Sequence, residues 1–227
     1  MKKTKLFLAL TLIASLCVNN VYAHESELEP IDNMSEKEEK LFNKENVVTT
    51  MAHEVIVDGE KKEFILQEFS ENTPVPTLNG EYTYVARKGL EILEKNVFDE
   101  RQSKLNSRIT TTDRYADGRG TYLYVEIVYT KTPTNNSTYS NYNMSSIYCN
   151  SSGSTLTKYS VTYGQSGFSS SFAPVTQSKT VNVDPVIKTF STKLSWKPVI
   201  NYNATVGVTQ TYTTRGWTHK WAFNLLP

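Results

Sequence analysis

Period two governs the second half of the chain. Leu123, Val125, Ile127 and Tyr129 alternate with Tyr122, Tyr124, Glu126 and Val128, which predicts a strand with one apolar face. Further strand-like runs cover 159–163, 180–183, 187–196, 199–214 and 217–223. Thr, Val, Tyr and Trp dominate them, and such residues fit a pleated surface. Segments 132–155 and 164–171 are rich in Ser, Asn, Thr and Gly and read as the loops between strands. The pattern predicts a mainly β fold, an antiparallel β-sandwich or an elongated β-sheet.

The first half reads as a smaller α+β region. Ser35 and Glu38 match the capping box, and a short helix through Leu41 and Phe42 follows from it. Val55-Ile56-Val57, Asp58-Gly59 and Phe64-Ile65-Leu66 predict a hairpin, since Asp-Gly supplies the positive φ of a tight turn. Pro74 and Pro76 end that element. Val85, Leu90, Leu93 and Val97 recur near helical spacing, so 81–105 is predicted helical, with Gly89 as its weak point.

Charge divides the chain at the same place. Residues 24–105 hold nineteen acids against ten Lys and Arg, whereas 106–227 hold four acids against eleven. All three Trp and eleven of the fourteen Tyr lie in the basic part. Such asymmetry suggests separate modules, although drift along one domain would look the same. The predicted organisation is a signal peptide at 1–23, an acidic flexible segment with a short helix at 24–46, an acidic α+β subdomain or pro-region at 47–105, and a basic, aromatic-rich β domain at 106–227.

The N-terminus sets the compartment. Lys2, Lys3 and Lys5 precede an apolar run from Leu6 to Val18, and Val21-Tyr22-Ala23 offers a cleavage site. The run is too short to span a bilayer, and the pattern is that of a bacterial secretory signal cut after Ala23. Leu16 before Cys17 argues against lipidation, which needs a small residue there. Processing would leave Cys149 alone, so the exported fold is expected to stand without an intrachain disulfide.

Candidate chemistry is sparse. The chain carries no His-Glu-x-x-His, Gly-x-Ser-x-Gly, phosphate-binding Gly-rich loop or Cys-x-x-Cys motif. Asp113 and Asp117 flank a turn, and their spacing does not favour a carboxylate pair for glycoside hydrolysis. A chain beginning at His24 could offer its α-amino group, that imidazole and the ring of His53 or His219 to copper. The acidic, Pro-containing tail after His24 is a poor scaffold for rigid ligands. No catalytic residue, metal site or cofactor is therefore assigned.

The best candidate for a binding surface is 215–223. Period two puts Trp217, His219, Trp221 and Phe223 on one face, with Arg215 and Lys220 as flanking cations. An exposed aromatic row would stack on sugars or sit among lipid headgroups, and a buried row would be core. The basic part has no Lys/Arg run and is exported, which excludes nucleic acid as the expected partner. The leading expectation is a secreted, non-enzymatic β-rich protein that meets an anionic surface, a cell-wall polymer or membrane headgroups, through Arg215, Trp217, His219, Lys220 and Trp221. The alternatives are a secreted toxin or bacteriocin-like pore-forming protein, for which 155–183 carries the alternating polar character of barrel strands, and a secreted hydrolase without a recognisable motif.

Overall fold

The computed structural model describes residues 35–76, 82–105, 120–135, 138–153, 156–214 and 217–226. The predicted signal peptide, the acidic tail to residue 34 and Arg215 lie outside them. The described chain is mainly strand, arranged as one large, curled antiparallel sheet with few helices.

In chain order the elements are α1 (Glu36–Leu41), β1 (Val47–Val57), β2 (Glu60–Pro76), β3 (Tyr82–Glu94), α2 (Lys95–Leu105), β4 (Thr121–Pro133), β5 (Ser140–Gly153), β6 (Leu156–Phe168), β7 (Pro174–Val183), β8 (Thr189–Lys193), β9 (Val199–Thr214) and β10 (Trp217–Asn224). The strand order is β1-β2-β3-β4-β5-β9-β6-β7, with β8 on β5 and β10 on β9. The predicted hairpin is the β1–β2 turn, where Asp58 and Gly59 take φ values of 53° and 84°.

The helix predicted over 81–105 is corrected. Only Lys95–Leu105 is helical, and Tyr82–Glu94 is a strand. Both faces of β3 are covered, which hides its period of two. Leu90 and Ile92 face the main core, while Gly89 lies under α1. A Cβ at Gly89 would come within 2.7 Å of the Phe42 ring, so the glycine makes room for the helix. Leu41 and Phe42 are fully buried there against Phe69, Tyr122 and Tyr124.

Segment 132–155, predicted as loop, contains the fourteen-residue β5. Its buried residues are Tyr142 and Met144, then Ile147, Cys149 and Ser151. The alternation slips because the register shifts between Val128 and Tyr129 of β4, and Ser145 is left over. Its hydroxyl donates to the Val128 carbonyl at 3.1 Å. A bulge of this kind breaks period two in the sequence and keeps it in space.

The acidic and basic parts differ in charge, but one sheet runs across them. β3 and β4 pair continuously from Thr83–Thr130 to Ile92–Thr121. The main core mixes Phe64, Leu66 and Leu90 with Val161, Val208 and Trp221. Burying each such side chain contributes roughly 1.5–3 kcal/mol. The curl brings β10 onto β1 and β2: Trp221 Nε1 donates to Glu68 Oε1 at 2.9 Å, and the Phe64 and Trp217 rings lie 5.5 Å apart. Gln210 crosses the interior as well. It accepts from the Tyr159 hydroxyl at 2.8 Å and donates to the Tyr124 carbonyl at 2.9 Å.

Candidate functional site

β10 has the period of two that its sequence predicts. Trp217, Trp221 and Phe223 point into the curl and are 7%, 4% and 8% exposed. They are core, so no exposed aromatic platform forms at Trp217 and Trp221. Area decides the matter: burying an indole stabilises the fold more than a solvent-facing position would. Lys220 lies on the opposite, outward face and is exposed.

His219 joins the inward side at the mouth of the curl. Its ring centroid is 6.1 Å from that of His53 on β1, 5.6 Å from Tyr212 and 5.5 Å from Trp217. Burial lowers the His219 pKa below its usual value; the nearby His53 lowers it further, and Glu68 opposes both. The spacing of His53 and His219 in the chain gave no hint of this pair, which arises from the curl. Among the described residues, no group of three or more His, Cys, Asp or Glu is placed to hold a metal.

Cys149 is fully buried as a free thiol, and burial pushes its pKa up. A thiol held neutral is a poor nucleophile. Tyr124 donates to Glu126 at 3.2 Å, and Glu126 accepts from Arg87 Nε at 2.7 Å. Burial raises the Tyr124 pKa strongly, with Glu126 adding to it. The Arg87 cation neutralises the carboxylate, and the cluster ties β3 to β4.

The outward face of β6, β7, β9 and β10 has a composition of its own. Directly paired residues share a face, so the register gives rows across the strands. Thr180, Thr162, Thr209 and Ala222 form one row. Ser178, Gly164, Gly207 and Asn224 form the next, and Thr176, Ser166 and Thr205 a third. In the other direction follow Asn182, Ser160, Thr211 and Lys220, then Lys158, Thr213 and Thr218. These positions include no acid, and Lys158 and Lys220 are their only charges. Over the facing glycines the surface is concave, a trough of about 250 Å³ lined by Thr162, Ser166, Thr176, Ser178, Thr205, Thr209 and Asn224 among others. β9 and β10 approach closely there. A Cβ on Gly207 would overlap the Phe223 carbonyl oxygen.

Sequence reasoning missed this face because Gly164–Ser171 reads as a loop. Its signal was present in Thr205, Thr209, Thr211 and Thr213, which alternate along β9. No protein-family model matches the chain, and searches of curated proteins and of solved structures also find no match.

Proposed function

We propose that the protein is an exported, non-catalytic β-rich module that docks on an anionic surface, a cell-wall polymer or membrane headgroups. In this reading the curled sheet works as a sandwich, whose packed interior supports a cationic exterior.

The observation that carries the proposal is where the charges find partners. Arg87 and Lys88 sit 3.1 Å from Glu71 and Glu68, and Lys95 and Arg101 sit 3.0 Å from Glu63 and Glu91. The basic part behaves otherwise. Lys131, Lys158, Lys179, Lys193, Lys197 and Lys220 are exposed, and none of them has an ion-pair partner among the described residues. Unpaired exposed cations attract anions over a screening length of about 8 Å at physiological salt.

Co-sedimentation with phosphatidylglycerol vesicles and with polygalacturonate, at low and high salt, tests the reading. Binding is expected to fall steeply as salt rises, and to weaken when Lys158, Lys179, Lys193 and Lys220 are replaced by Gln. No binding to either probe at low salt would overturn it.

A second reading, a membrane-active toxin, is favoured by the β6–β7 hairpin. Among the described residues β7 ends the strand order of the sheet, and Phe172 at the hairpin tip is 50% exposed with a φ of 57°. A bulky residue held at positive φ stores strain that function can explain. Dye leakage from vesicles separates this reading from simple docking.

A further inference from the structure

The outward face of β6, β7, β9 and β10 suits one class of anionic surface better than the others. We propose that it holds an acidic polysaccharide, with sugar hydroxyls in the trough over Gly164 and Gly207 and acidic groups on Lys158 and Lys220. This rests on the docking function proposed above and names its ligand.

Three features of the face agree. The first is its composition. A soluble surface carries roughly 25–35% charged residues of mixed sign. The eighteen paired outward positions hold two charges, both positive, while Thr and Ser dominate. A hydroxyl is both donor and acceptor and rotates to suit its partner, which matches the hydroxyls of a sugar.

The second feature is availability. Among the described residues, the hydroxyls of Thr176, Thr205 and Thr209 have no hydrogen-bond partner within the protein. Thr162 and Thr180 satisfy each other at 2.8 Å, as do Thr213 and Thr218. The trough is therefore lined by the free hydroxyls of Thr176, Thr205 and Thr209 together with the paired hydroxyl of Thr162.

The third feature is shape. Gly164 and Gly207 face each other across β6 and β9, so the floor is bare backbone. Gly207 is fixed there by the approach of β10, and the trough persists with the fold. Rows repeat at about 4.8 Å across strands and roughly 6.7 Å along them, which offers an extended chain several equivalent contacts. A single hydroxyl contact contributes about 1 kcal/mol against water, so useful affinity requires a repeating ligand.

Lipid headgroups fit the face less well. Anionic membranes attract about 1 kcal/mol per nearby Lys or Arg. The two lysines of this face would hold a bilayer only weakly.

The test uses three soluble probes with the full processed chain. Polygalacturonate has hydroxyls and charge, polyglutamate has charge alone, and dextran has hydroxyls alone. The variant Thr176→Val/Thr205→Val/Thr209→Val removes the hydroxyls and keeps shape and strand propensity. It is expected to bind polygalacturonate about tenfold or more weakly while its weaker polyglutamate binding is unchanged. Lys158→Gln/Lys220→Gln is expected to weaken both, and dextran binding is expected to be the weakest. Circular dichroism confirms that each variant folds. If it does not, Thr209→Val alone carries the same comparison. Unchanged polygalacturonate binding by the folded threonine variant would overturn the proposal, as would polyglutamate binding as tight as polygalacturonate. Stronger binding to phosphatidylglycerol vesicles than to polygalacturonate would also overturn it, in favour of a membrane. In each of these outcomes the docking function survives. Loss of all anionic binding by the wild type sinks both.

Discussion

Replacing Trp221 by Ala should unfasten the curl. Trp221 is 4% exposed and packs from β10 against β2. A buried Trp→Ala change costs about 3–5 kcal/mol through lost transfer energy and the cavity left behind. The indole N–H also donates to Glu68 at 2.9 Å, a bond to a charged group. Glu68 keeps Lys88 at 3.1 Å, so only part of the roughly 1.5–3 kcal/mol typical of such bonds is lost. The sum is roughly 4–6 kcal/mol, against a total stability of about 5–15 kcal/mol for a typical domain. Urea unfolding followed by far-UV circular dichroism reads this as a midpoint lowered by roughly 2 M. The control is Lys220→Ala, which changes the neighbouring residue on the outward face and should stay within about 0.5 kcal/mol. If Trp221→Ala does not fold at all, Trp221→Phe keeps most of the packing and should cost roughly 1–2 kcal/mol. The reasoning is refuted if Trp221→Ala costs no more than Lys220→Ala.

Acidification should destabilise the protein through His219. Its folded pKa is depressed below 6.5, so its contribution is present in full above that value and is lost as pH falls through it; the slope between pH 7.5 and 5.5, measured by thermal melts, should shrink in His219→Gln. Cys149 should resist iodoacetamide in the native state and react as urea unfolds the chain, since the thiol is buried; rapid native labelling would contradict that burial. The fragment 106–227 should not fold alone, because it loses the β3 partner of β4 along ten paired positions; a cooperative melt of the isolated fragment would show the opposite.

Local signals in the sequence carried the class of fold and several of its elements. Alternation in 122–129 and the strand-forming residues of 199–214 predict strands that are present as part of β4 and the whole of β9. Asp58-Gly59 marked its turn, and Ser35 with Glu38 marked the start of α1. These are local signals: the residues that cause each feature are neighbours in the chain.

Features that join distant residues came from the folded sheet. β3 looked helical because α1 covers one of its faces and the main core the other. β5 looked like a loop because it is rich in Ser and Asn and a bulge at Ser145 displaces the alternation of its few apolar residues. His53 and His219 became neighbours, and Trp217 and Trp221 became core, only once the sheet curled β10 onto β1 and β2. The hydroxyl face also needed the register, since Gly164 and Gly207 are opposed by strand pairing and not by spacing. Period two tells which residues share a side of a strand. Which side is buried depends on what the rest of the chain brings against it.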